Sequence, residues 1–286
     1  MHEHKQRSKL KAFVYSFVSF MLTLVLFLFS ICIVINTTIF SKEYMLNIMS
    51  SNGYYSMVSD ELFSSMKNLG NASGFDEEFS KKFVKELDIQ QSVEEYISNF
   101  YSGNSTLVDT VSFKQQLYAA LDQYIADKNI DKNSLSSENL AYFVDKATEI
   151  YVNEISIPFF STIANYIYKA QTPLLIITIG LGITALMLVA IIFFTNKFKH
   201  RKFKYMCYGF TGAFLAISVI PIVVQVSDKI SKINLNTRSL YSLFVNYVNG
   251  FFMNFWIWSS VMLILAVLTF MLYVKYYKRA TTHHNQ

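Results

Sequence analysis

A chain of 286 residues, of which 52% are hydrophobic and only 16% charged, does not read as wholly water-soluble, because soluble helices need a charged face. The charges are clustered and leave four long uncharged gaps. The formal net charge of +5 comes from short segments flanking those gaps, which is a membrane-sorting pattern rather than a nucleic-acid patch.

The first gap runs from Ala12 to Ser41, behind Lys5, Arg7, Lys9 and Lys11. A hydrocarbon core about 30 Å thick takes roughly 20 apolar helical residues. Residues 13-35 therefore predict a first transmembrane helix after a cytoplasmic N-terminus, 1-12. A signal peptide has an apolar core of roughly 7–15 residues and a small-residue cleavage site. Here the run is longer and leads into Ile35-Asn36-Thr37-Thr38-Ile39-Phe40, so an uncleaved anchor is expected.

Residues 36-172 hold more acids than bases and are read as an extracytoplasmic domain inserted between helices 1 and 2. Its apolar spacing is helical. Phe79, Phe83 and Leu87 form one stripe, and Val93, Ile97 and Phe100 a second. Phe113, Leu117, Leu121 and Tyr124 make a third, and Leu140, Phe143, Val144, Ala147 and Ile150 a fourth. Each is the one-sided pattern of an amphipathic helix. Ser92 with Glu95, and Ser112 with Gln115, fit capping boxes. Breaks are expected at Gly70-Asn71-Ala72-Ser73-Gly74 and at Ser102-Gly103-Asn104-Ser105. Tyr44 to Met66 reads as a long helix interrupted at Ser50-Ser51-Asn52-Gly53, with Tyr54 and Tyr55 either packed inward or at lipid headgroups. Between Pro158 and Pro173, the residues Phe159, Phe160, Ile163, Tyr166 and Ile167 suggest an interfacial or span-extending helix.

The remaining gaps predict transmembrane helices at 173-194, 205-226 and 251-274. Between them lie a basic loop, 195-204, an outer loop, 227-250, and a tail, 275-286. The first loop carries Lys197, Lys199, Arg201, Lys202 and Lys204, and the tail carries Lys275, Lys278 and Arg279. With the basic N-terminus, three segments agree on one side, which the positive-inside rule makes cytoplasmic. The outer loop repeats an apolar pattern in Leu240, Phe244, Tyr247 and Val248. Gly209, Gly212, Ala213 and Ala216 on the third span, and Gly180 with Thr184 on the second, are small residues suited to close helix packing. Pro221 should kink the third span and free the Ile217 carbonyl. Trp256 and Trp258, with Phe251 and Phe255, read as an aromatic belt.

Little points to catalysis. His2, His4, His200, His283 and His284 all fall on the cytoplasmic side, and Cys32 and Cys207 lie in spans at opposite depths, too far apart for a disulfide. The 36-172 segment has neither residue type, which removes Ser-His-Asp and Cys-His machinery and ordinary structural zinc sites there. Asp76-Glu77-Glu78 reads as the negative first turn of a helix. Asp127-Lys128-Asn129-Ile130-Asp131-Lys132-Asn133, ending at Glu138, has the oxygen spacing of a calcium loop. Lys132, however, stands where glycine permits the sharp turn and Ser134 replaces an apolar residue. A polar turn with Ser136 or Ser137 capping the next helix is the preferred reading. The spans hold no Asp, Glu, Lys, Arg or His, which argues against an autonomous proton-coupled transporter. No catalytic, cofactor-binding or metal-ligating residues are assigned.

Asn52-Gly53-Tyr54-Tyr55, Ser73-Gly74-Phe75, Tyr101-Ser102-Gly103, Val108-Asp109-Thr110 and Ile150-Tyr151 resemble multi-span membrane proteins of low-GC Gram-positive bacteria. The scarcity of arginine, found only at Arg7, Arg201, Arg238 and Arg279, fits such an AT-rich source. These motifs carry no known chemistry. The topology is also similar to permease subunits of cell-division and macrolide-export ABC systems, although the 195-204 loop is very short. The sequence thus predicts an all-α, four-transmembrane-helix protein that is not an enzyme and needs no cofactor. Its partners are the lipid bilayer and a membrane or envelope protein, not nucleic acid. An accessory or permease-like subunit of a transport complex is the alternative.

Overall fold

The computed structural model describes residues 2–104, 106–129, 137–227 and 237–282. Among them every regular element is an α-helix. In chain order these are α1 (His2–Thr37), α2 (Lys42–Ser51), α3 (Tyr54–Ala72), α4 (Glu77–Glu86) and α5 (Ile89–Ser102), then α6 (Thr110–Asp127), α7 (Ser137–Ile155), α8 (Phe160–Thr195), α9 (Lys199–Ser227) and α10 (Arg238–Thr282). Four stretches, Lys11–Thr37, Phe160–Thr195, Lys199–Ser227 and Arg238–Thr281, are long and apolar enough to cross a membrane. The chain is therefore an all-helical protein with four candidate spans. It divides into two compact units, one of 1–39, 171–232 and 248–286, the other of 40–170 and 233–247.

In the first unit, α1 and α9 pack through small residues. A Cβ on Gly209 would lie 2.7 Å from Leu22 Cδ2, and one on Gly212 would lie 2.6 Å from Thr23 Oγ1. Hydroxyls use that proximity: Ser19 donates to the Tyr205 carbonyl at 2.9 Å and Thr23 to the Gly209 carbonyl at 3.1 Å. Asn36 Nδ2 reaches Thr178 Oγ1 on α8 at 2.8 Å, and Ser218 and Ser259 join α9 to α10 at 2.6 Å. Such bonds offset the cost of hydroxyls in an apolar setting. Gly180 does not pack as its spacing suggested, since a Cβ there would meet nothing within 4 Å; Gly182, facing Phe29, is the close approach on α8. Helix α9 runs unbroken through Pro221. Phe255 is buried, and the Trp258 ring stands edge-on to Phe29. Phe255 lies on the side of α10 that also carries the buried Ser259 and Met262, and Trp258 packs against that cluster while only partly buried.

The second unit is held by an aromatic and aliphatic core. The stripes read from sequence supply it: Phe79 and Phe83 from α4, Val93, Ile97 and Phe100 from α5, Phe113, Leu117 and Leu121 from α6, and Phe143, Val144 and Ala147 from α7. Each fully buried Leu or Phe contributes about 1.5–3 kcal/mol. Phe113 stacks on Tyr151 with centroids 4.1 Å apart, and Phe75 lies 4.7 Å from Phe143. Leu87 falls outside the stripe's helix, at the α4 C-cap.

The caps differ from expectation. Helix α5 is capped by Asp88, which accepts from the Gln91 N–H, and α6 by Asp109, which accepts from Val111 and Ser112. Ser92 and Ser112 therefore sit inside their helices. A carboxylate just upstream outcompetes the serine, being an acceptor of full charge at the positive helix end. Asp76 caps α4, with Glu77 and Glu78 in the first turn. Helix α5 ends at Gly103, whose φ of 72° carries the left-handed turn that bonds Asn104 N–H back to the Asn99 carbonyl. The residues after Arg238 are not a separate surface helix. Leu243 is buried in this core with Tyr247 packed on it, and α10 is continuous from Arg238 onward.

Candidate functional site

Three places in the second unit gather polar side chains. The first is a seam along α3. Tyr54, Glu61 and Ser65 are spaced by seven and four residues and so share a helix face. Glu61 accepts from both the N–H and the hydroxyl of Ser239. Ser65 donates to Glu154 of α7 at 2.9 Å. Burial pushes the Glu154 carboxyl above its ordinary value, partly countered by the Ser65 bond, with the Glu61 charge adding to the rise. The Tyr54 hydroxyl is buried and finds no hydrogen-bond partner among the described residues. Burial holds its proton on, and Tyr96 and the two glutamates reinforce the effect. A carboxylate pair with one raised member is the raw material of acid–base chemistry. Here, however, both Glu61 oxygens are engaged by Ser239, so the seam joins elements.

The second is a cleft of about 230 Å³ between α4 and α6. Its floor is Phe79, Phe83 and Tyr124, and its rim includes Lys82, Asp127 and Lys128. Lys128 Nζ lies 3.0 Å from Asp76 and 5.9 Å from the Tyr124 ring centroid. The Phe79 N–H, and then Lys128, hold the Asp76 carboxyl below its ordinary range, and Asp76 raises Lys128 in return. Small-molecule sites usually occupy about 300–1,000 Å³, so this volume suits a single side chain better than a cofactor.

The third cleft, about 210 Å³, lies among α5, α6 and α7 and is lined by Asp88, Glu95, Asp109, Ser92, Ser112 and Tyr151, among others. Asp88 and Asp109 are already spent as helix caps, and the Ser112 hydroxyl and N–H hold the Asp109 carboxyl below its ordinary range. Among the described residues no group of three or more His, Cys, Asp and Glu could hold a metal ion. The calcium-like spacing from Asp127 to Glu138 falls mostly on residues 130–136, outside the described residues.

Sequence reasoning assigned Phe79, Phe83 and Tyr124 to apolar stripes but did not see that part of that surface lines a cleft. It missed Glu61 and Glu154 altogether. The available signal was Glu61 standing next to the Val58, Leu62 and Met66 stripe, one step from the core. No family model matches the chain, no curated protein matches it in sequence, and no solved structure matches it in fold. The fold is that of an all-helical chain with four helices long and apolar enough to cross a membrane and a second, separately cored helical unit.

Proposed function

We propose that the chain is a non-enzymatic cell-membrane protein with both termini cytoplasmic, and that residues 36–172 form an extracytoplasmic domain inserted between the first and second spans. This domain binds a protein, peptide or envelope component and assembles with membrane partners. The α4–α6 cleft carries the reading: an aromatic floor under a mixed-charge rim suits one apolar side chain of a peptide segment flanked by charges. Orientation rests on the basic segments around 5–11, 197–204 and 275–279.

A photo-crosslinking amino acid at Lys82, in native membranes, should capture a discrete partner, and Tyr124→Ala should abolish that capture. Equal capture from Lys146, which does not line the cleft, would count against the cleft. Loss of a lipid or glycan turnover in a single carboxylate variant would replace binding with catalysis. A cytoplasmic reporter fused after Lys204 should be active and one at Gly103 inactive; the reverse result overturns the orientation.

A further inference from the structure

The first three turns of α8 have three kinds of face. At about 100° per residue, Phe160, Ala164 and Ile167 pack against the core of the second unit, with the half-exposed Tyr168 at its edge. Ala164 is buried, Phe160 stacks on Phe100 with centroids 4.3 Å apart, and the Tyr168 ring presses on Gly103 so closely that a Cβ there would sit 2.8 Å away. Ser161, Thr162, Asn165 and Lys169 form a polar exposed sector. Between these sectors Ile163 and Tyr166 are exposed, as is Phe159 just ahead of the helix, Phe159 at 80% and Tyr166 at 73%.

Phe159 is also held at a φ of 69°. A bulky residue in that left-handed region is strained, by about 1–3 kcal/mol. Glycine would relieve the strain, yet the position carries a phenyl ring that touches little of the protein. Moreover, α8 runs on without a break into an apolar candidate span. An apolar stripe with tyrosine and a flanking lysine, leading directly into a span, has the composition of a membrane interface.

We propose that Phe159, Ile163 and Tyr166 dock on the lipid surface, at the headgroup–acyl boundary of the leaflet that α8 enters first. The proposal rests on the reading that α8 crosses the bilayer.

The test uses the full chain with Cys32→Ala and Cys207→Ala, carrying one environment-sensitive fluorophore on a cysteine at 163, 166, 165 or 183. The protein is reconstituted in phosphatidylcholine vesicles with nitroxide quenchers at the headgroup or deep in the acyl chains. Labels at 163 and 166 should be quenched severalfold more by headgroup nitroxide than the label at 165, which should respond to aqueous iodide. The label at 183 should be quenched by the deep nitroxide. Equal iodide response at 163, 165 and 166, with 183 still quenched in the acyl region, overturns the docking alone. Failure at 183 overturns the span and the docking with it. If a label perturbs folding, the unmodified chain decides: phosphatidylcholine with a photoactivatable headgroup must label the peptide containing Phe159 to Tyr166, and no labelling there overturns the proposal.

Discussion

Glu61 of α3 and Ser239 of α10, 178 residues apart in sequence, are joined by two hydrogen bonds. The Ser239 N–H donates to one carboxylate oxygen at 2.9 Å and its hydroxyl to the other at 2.5 Å. Glu61 thus satisfies a free N–H in the first turn of α10 and places a negative charge at the positive end of that helix. Thr237 adds a second cap through the Leu240 N–H. Tyr44, whose hydroxyl donates to the Tyr247 carbonyl at 3.3 Å, holds the same segment from α2.

Removing the carboxylate by Glu61→Ala leaves the Ser239 N–H without its acceptor, while the hydroxyl keeps Thr237 Oγ1 at 3.1 Å, and should cost about 1–3 kcal/mol. At this size each kcal/mol lowers Tm by about 2–4 °C, so thermal unfolding of the purified protein in detergent reads the effect. Glu61→Gln, which keeps one acceptor, should fall between wild type and Glu61→Ala. An unchanged Tm for Glu61→Ala would mean the trans-cap adds nothing to stability.

The two kinds of carboxylate predict opposite pH dependence. Glu154 is raised above its ordinary value of 4.5, so in that window the folded chain holds its proton more tightly than the unfolded chain. Its contribution is therefore favourable at low pH and is lost as pH rises from about 4.5 through the elevated folded value. Glu154→Gln should gain Tm relative to wild type across that window and then keep a constant difference. Asp109 is depressed below its ordinary 3.8, so its stabilisation is present above that pH and disappears as pH falls through the lower folded value. Asp109→Asn should be less stable than wild type at neutral pH and converge with it in acid. Parallel Tm–pH curves for wild type and either variant would contradict the assignment.

Much of this fold was legible because the physics acts over short sequence distances. Phe113, Leu117 and Leu121 announce one buried face by a spacing that any amphipathic helix must have. The charge-free gaps likewise announce spans by length. What escaped depends on competition or on distance. Ser92 and Ser112 satisfy the capping pattern, and only the folded geometry shows Asp88 and Asp109 taking the caps first. Gly180 and Gly182 are indistinguishable in sequence, and the rotation of α8 decides which one meets Phe29. The Glu61–Ser239 bond has no local signature at all, since it exists only once α3 and the start of α10 are side by side. The α4–α6 cleft escaped for a similar reason: periodicity says that Phe83 and Tyr124 are inward but not that the rings leave a gap.

The close contact of α1 and α9 predicts a coupled pair of substitutions. A methyl at Gly209 would press on Leu22 Cδ2, Cγ and Cβ at 2.7, 3.1 and 3.4 Å, and Leu22 is fully buried. Gly209→Ala should cost about 1–3 kcal/mol by overpacking, and Leu22→Ala about 2–5 kcal/mol by leaving a cavity. In the double variant the new methyl enters the space that Leu22 vacates, so the combined loss should be clearly smaller than the sum. Unfolding of the four proteins in one detergent gives the cycle directly. Strict additivity would mean that the two residues do not touch.

Tyr54 offers the reverse expectation, a buried substitution that helps. Its hydroxyl is shut off from solvent and has no partner among the described residues, so folding removes its hydrogen bonds to water and returns none from them. Deleting one oxygen by Tyr54→Phe keeps the ring, its edge-on contact with Tyr55 and the packing of α3. Leaving a buried polar group unsatisfied costs about 1–3 kcal/mol, and Tyr54→Phe should recover a good part of that as a raised Tm. A buried water bridging the hydroxyl to Glu61 or Glu154 would give the opposite sign. A lowered Tm for Tyr54→Phe, abolished when Glu154→Gln is added, would therefore place an ordered water in the seam and turn the apparent orphan into a member of the carboxylate network.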